Sequence, residues 1–195
     1  MVSGEQTEQK MILPIYTYGQ PVLKKDTEEI DQSYPGLAEL IQNMWDTLDH
    51  SGGVGLAAPQ VGVSIRMAII DLDVISEDEP EYKGFRRTYI NPYIEEVGEE
   101  TETMEEGCLS LPGLSEKVTR PRRIRVTYQD ESFQMHDEWV EGYLARVMQH
   151  EFDHLDGVVY TDRLRGLRRQ LMQNKLKQLL KGNFTANYRV KPLRK

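Results

Sequence analysis

Apolar residues fall into a few distinct patterns along the chain. Leu37, Leu40, Ile41, Met44, Trp45 and Leu48 recur every three or four positions, the spacing that lines up side chains along one stripe of a helix. This predicts an amphipathic helix over about 35–50, with Pro35 in its first turn and Ser51-Gly52-Gly53 ending it. Residues 65–72 (IRMAIIDL) are short, β-branched and apolar, as expected of a buried strand. A second strand is expected over 89–97, interrupted at Pro92. Ile124, Val126 and Tyr128 alternate with polar residues, and Phe133 and Met135 resume the alternation after the polar stretch 129–132, which predicts a hairpin. The helical period returns with Trp139, Val140, Tyr143, Leu144, Val147, Met148 and Leu155, closed by Gly157. A last amphipathic helix is expected over 164–181, through Leu167, Leu171, Leu176, Leu179 and Leu180, stopping at Gly182. Helix, strands, hairpin, helix, helix, with no regular βαβ alternation, is an α+β order. The expected architecture is antiparallel or mixed sheets packed around a central helix, with an N-terminal amphipathic helix and a C-terminal helix.

At 195 residues the chain suits one domain. The polar start 1–10 reads as a disordered leader, 11–182 as the domain, and 183–195 as a basic tail. The net charge of −8 is segregated: from Arg163 onward there are eleven Lys/Arg and no acid, so the rest carries 13 Lys/Arg against 32 Asp/Glu. A basic end on an acidic body suggests an anionic partner, although a solvated helix face explains it about as well. One cysteine, Cys108, excludes an internal disulfide. No apolar run is long enough to cross a bilayer, and the start lacks the apolar middle of a signal peptide. These point to the cytoplasm, with neither membrane nor DNA as partner.

The strongest chemical signal is His150-Glu151-Phe152-Asp153-His154, an H-E-x-x-H sequence inside the expected helix. His150 and His154 are one turn apart and project from the same face, so both can reach one cation. Glu151 lies beside them, where a carboxylate can serve a water without binding the metal itself. A catalytic site of this kind usually takes a third protein ligand. The metzincin continuation would put a histidine at position 160, which is Tyr160, and no glutamate follows Glu151 for a thermolysin-like arrangement. Both peptidase routes are closed. Upstream, Cys108 offers a thiolate suited to zinc or ferrous iron; read alone, it is as readily a small buried residue.

Three separated blocks decide between these readings. Residues 53–60 (GVGLAAPQ), 106–110 (EGCLS) and 149–157 (QHEFDHLDG) resemble the signature blocks of the peptide deformylase family, in the same order, and the resemblance spans about 11–181. It is closest to the bacterial form that ends in a helix. The resemblance implies removal of the N-formyl group from nascent chains that begin with formylmethionine. It implies one divalent metal on Cys108, His150 and His154: Fe2+ in the cell, with Zn2+ or Ni2+ possible in purified protein. A metal-activated water would attack the formyl carbonyl, with Glu151 as general acid and base and with Gln60 and the Leu109 backbone N–H stabilising the oxyanion. Glu106 and Arg120 would pair behind Cys108. From their positions, Gly53, Val54 and Gly55 could accept an extended peptide as an added strand, and Tyr143 and Val147 would wall a methionine pocket, with the Arg146 stem at its rim. Because such a substrate emerges from the ribosome, the basic C-terminal segment is expected to associate with it.

Overall fold

The computed structural model describes residues 10–193. The leader expected over 1–10 thus lies, except for Lys10, outside the described residues. In chain order the elements are β1 (Ile15–Tyr16), α1 (Leu37–Ser51), β2 (Gly55–Ala57), β3 (Met67–Asp71), β4 (Arg86–Val97), β5 (Thr101–Gly107), β6 (Ser115–Pro121), β7 (Arg123–Gln129), β8 (Met135–Glu141), α2 (Gly142–Leu155), α3 (Gly166–Leu180) and β9 (Val190–Lys191). The fold is α+β, and its main sheet is antiparallel in the order β2-β3-β4-β7-β8. β5 and β6 form a separate hairpin, and β1 pairs in parallel with β9.

β3 shows why the core takes this form. All five of its residues are buried, and because successive side chains point to opposite faces, Ala68 and Ile70 pack toward Met148, Phe152 and Leu155 of α2. Met67 and Ile69 face Ile41, Met44 and Leu48 of α1. The sheet is thus sandwiched between the two helices. Burying each of the larger of these side chains stabilises the fold by roughly 1.5–3 kcal/mol. As expected, β4 is disturbed near Pro92: its register on β7 shifts between Ile90 and Tyr93, where Asn91 takes φ 51°. The Asn91 side chain steadies this bulge by bonding both the N–H and the carbonyl of Ile30.

Three expectations change. Pro35 precedes α1, and Gly36 at φ 73° caps it instead. Trp139 and Val140 belong to β8, opposite Arg125 and Ile124; Gly142, at φ 69°, then turns the chain into α2. Their apolar spacing fits a helix only because it runs across a strand–helix junction. In α3 the buried residues are Met172, Leu176 and Leu179, whereas Leu167 and Leu171 are 69% and 56% exposed. The chain continues past α3. It crosses back to lay β9 beside β1.

Candidate metal centre

α2 is buried along nearly its whole length, from Ala145 to Leu155. That helix carries His150, Glu151 and His154 into the interior, and the turn after β5 brings Cys108 to meet them. One donor atom from each of Cys108, His150 and His154 lies within 4.8 Å of the others. Cys108 Sγ is 3.2 Å from His154 Nε2. Tyr160, the residue at the metzincin histidine position, stacks on the His150 ring at 6.0 Å.

Several features fit a cation here. The His150 Nδ1–H is held by Glu106 Oε2 at 2.9 Å, which leaves Nε2 as the atom where a cation can take the place of a proton. Burial lowers the His150 pKa, but hydrogen bonds to Cys108 and Glu106 and the charges of Cys108 and Glu151 hold it well above the imidazole range. The pocket thus favours positive charge at that point. Burial, reinforced by the positive charge of His150, pushes His154 well below that range, leaving it neutral, as a ligand must be. Among the described residues no fourth Cys, His, Asp or Glu joins the three donors, the number expected of an open, catalytic site.

Behind the donors sits a buried ionic network. Glu106 accepts from Arg120 at 2.6 and 2.9 Å, from Arg146 at 2.8 Å and from His150. Arg120, 1% exposed, also donates to Asp153 at 2.8 Å, and Asp153 is gripped in turn by Arg163. Burial pushes the Glu106 carboxyl up, but the bonds and charges of Arg120 and His150 outweigh it and hold the group well below the usual carboxylate range. The expected Glu106–Arg120 pair is therefore part of a larger cluster. Arg146 lines the cleft, as expected, yet is itself buried, with further bonds to the carbonyls of Val118 and Glu102. An arginine at a helix position facing the interior can be buried only where carboxylate and carbonyl partners already wait, and this helix face supplies them.

Gln60, 1% exposed, is no surface residue. Its Oε1 accepts the Ala57 N–H at 2.8 Å, which orients Nε2 toward Cys108 Sγ at 3.4 Å and Ser110 Oγ at 3.2 Å. Glu151 is buried with Oε2 unpartnered; burial pushes its pKa up to about 7, against the lowering charge of His150. The carboxylate has room because position 55 is glycine: a Cβ there would lie 2.5 Å from Glu151 Oε1. Gly55 thus makes way for Glu151, a role its sequence context did not disclose.

A cleft of about 600 Å³ opens over these groups. Gly53, Val54 and Gly55 line one side, and Tyr143 and Val147 another. Sequence reasoning missed three participants. Asp153, although inside the histidine motif, gave no sign of anchoring Arg120. Arg163 looked like part of a basic tail. Tyr188, which also lines the cleft, sits in a segment with no periodic signal at all.

A cysteine sulfur and two imidazoles converging on one point, with a carboxyl group beside them and an open cleft above, define a mononuclear metallohydrolase. Residues 12–170 match the family model for polypeptide deformylase. The chain is 47% identical over 189 residues to the peptide deformylase of Christiangramia forsetii, covering 93% of this chain and 96% of that one. With the Salinibacter ruber peptide deformylase it shares 43% identity over 182 residues, covering 91% and 93%. Its fold superposes on crystalline Plasmodium falciparum peptide deformylase with a TM-score of 0.77 at 32% identity, covering 86% and 95% of the two chains. The chain belongs to the peptide deformylase family, a family of metal-dependent hydrolases.

Proposed function

We propose that this protein releases formate from the N-formylmethionine at the start of newly made polypeptides, and that Cys108, His150 and His154 hold its metal. The observation that carries this reading is the convergence of those three donors beside the unpartnered carboxylate of Glu151, at the floor of a cleft. A divalent cation bound there supplies Lewis acidity, which brings the pKa of a water toward neutrality and polarises the formyl oxygen. Glu151 takes the proton from the attacking water and delivers it to the departing amine, as general base and then general acid. The Gln60 Nε2 amide, already aimed at Cys108, and the Leu109 backbone N–H donate to the oxygen on which negative charge develops. Each such donor is worth about 3 kcal/mol in comparable sites. The methionine side chain lies against Tyr143 and Val147, and the peptide backbone runs along Gly53–Gly55, which leads into the edge strand β2.

The metal in the cell is proposed to be Fe2+, with Zn2+ or Ni2+ able to take its place in purified protein. A reducing cytoplasm suits the unpaired Cys108. Formate release from formyl-Met-Ala-Ser is expected from the metal-loaded enzyme, to vanish with a chelator, and to return when Fe2+ is restored without oxygen. Turnover that persists in metal-free protein would refute the proposal.

The basic segment 163–195 is proposed to dock the enzyme on ribosomal RNA or protein. Arg165, Arg168, Arg169, Lys175 and Lys177 are exposed on and beside α3, a charge display that carries no sequence-specific chemistry of its own. Co-sedimentation with ribosomes should fall steeply between about 50 and 200 mM salt. Unchanged sedimentation over that range would rule out the charge mechanism.

A further inference from the structure

Residues 183–193 have little regular secondary structure, yet the fold holds them firmly. The Ile15 N–H donates to the Arg189 carbonyl at 2.9 Å and the Thr17 N–H to Lys191 at 3.2 Å. Gln20 Nε2 donates to the carbonyls of Lys191 and Pro192 at 3.2 and 2.9 Å, and Lys191 Nζ donates to the Tyr16 hydroxyl at 2.9 Å. These bonds fasten the end of the chain as a strap, and the strap sets Tyr188 into the active-site cleft. There the Tyr188 hydroxyl donates to the Leu109 carbonyl at 2.8 Å, across 79 positions of sequence.

Leu109 is the residue after the Cys108 ligand, and its N–H is the proposed oxyanion donor. Its side chain leans the other way, against the Gly53 wall, where an added Cβ would meet it at 3.0 Å. Leu109 is therefore clamped from both sides of the cleft. Among the described residues, Tyr188 holds the carbonyl side of that clamp. Tyr188 also borders a second hollow, shared with Pro112, Gly113 and Thr185–Asn187, which extends the cleft away from the metal ligands.

We propose that Tyr188, carried by the C-terminal strap, is a positioning residue for Leu109 and also the wall that meets the peptide residues following the formylated methionine. This rests on the cleft being the peptide site. With the metal ligands fixing the formyl end and Tyr143 and Val147 beside the methionine, the next residues of the peptide run toward the Pro112–Gly113 and Thr185–Tyr188 walls. The two roles separate experimentally. Losing only the hydroxyl frees the Leu109 carbonyl and acts on the chemical step. Losing the ring removes surface that only a longer peptide can touch.

The test compares wild-type, Tyr188→Phe and Tyr188→Ala enzymes of equal metal content on formyl-Met amide and on formyl-Met-Ala-Ser. Tyr188→Phe is expected to lower kcat for both substrates by roughly three- to tenfold, the range of one hydrogen bond, with KM unchanged. Tyr188→Ala should in addition raise KM for the tripeptide by about tenfold and leave it unchanged for the amide. Calorimetric binding of the product Met-Ala-Ser should weaken in the alanine variant alone, a readout independent of turnover. If the phenylalanine variant matches wild type in kcat, or the alanine variant affects short and long substrates equally, the proposal is wrong. If instead wild-type enzyme releases no formate from either substrate, it is the reading of the cleft that fails.

Discussion

Replacing Glu151 by alanine is expected to lower kcat for formate release by about 10²–10⁴-fold, the usual contribution of a positioned acid/base, with metal content unchanged. Glu151 is not one of the three donors that converge, so its removal leaves the cation's ligands in place. What is lost is the carboxylate proposed to take the water's proton, and its neighbours are engaged elsewhere: Glu106 and Asp153 are committed to arginines and Glu105 accepts from Ser115. Glu151→Gln should lose nearly as much, because it keeps the shape and the hydrogen-bonding reach but cannot accept the proton. The check is single-turnover formate release together with metal analysis of each variant. Turnover within tenfold of wild type in both would remove Glu151 from the mechanism. A fall in activity accompanied by loss of metal would instead make it a ligand or a ligand's support.

The chemistry of this site is legible in the sequence because it rests on side-chain identity at fixed spacing. The turn-related His150 and His154 need only a helix to converge, and the pattern of α2 supplies it. The third donor was legible only through the resemblance, since nothing in the local sequence brings Cys108 to α2. What brings it there is the β5–β6 hairpin, and that hairpin is hidden for a physical reason. Its strands, TETMEEG and SEKVTRP, are largely exposed, so neither had to alternate apolar and polar residues. Buried charge was equally hard to read. Arg146 and Arg120 look like surface residues by type, and only three-dimensional pairing with Glu106 and Asp153 lets them lie inside. Tyr188 is the extreme case: the strap that places it is held by backbone bonds to β1 and by the Gln20 and Lys191 side chains, contacts that follow no sequence period.

Glu106→Ala is expected to destabilise the fold by about 3–5 kcal/mol, the cost of removing one partner from a buried ion pair. In a domain of this size that amounts to a fall of about 10 °C in Tm. The magnitude follows from how many groups depend on one carboxylate. Arg120, fully buried, keeps only Asp153, which it already shares with Arg163. Arg146 keeps two carbonyls but no counter-charge. The His150 Nδ1–H loses its acceptor, so the ring is no longer held with Nε2 toward the metal. Loss of such a partner typically weakens metal binding 10–100-fold, so thermal stability and metal affinity should fall together. Glu106→Gln separates the two effects. Its amide oxygen can still accept from His150, so metal binding should recover much of the loss, while the two arginines remain without their charge and stability stays low. Thermal unfolding of the metal-free proteins and competitive metal titration measure each quantity on its own. If Tm in Glu106→Ala stays within about 2 °C of wild type, the cluster is sufficiently hydrated that its ion pairs contribute little. If metal affinity is unchanged in both variants, His150 is oriented by its packing against Tyr160 and not by the Glu106 carboxylate.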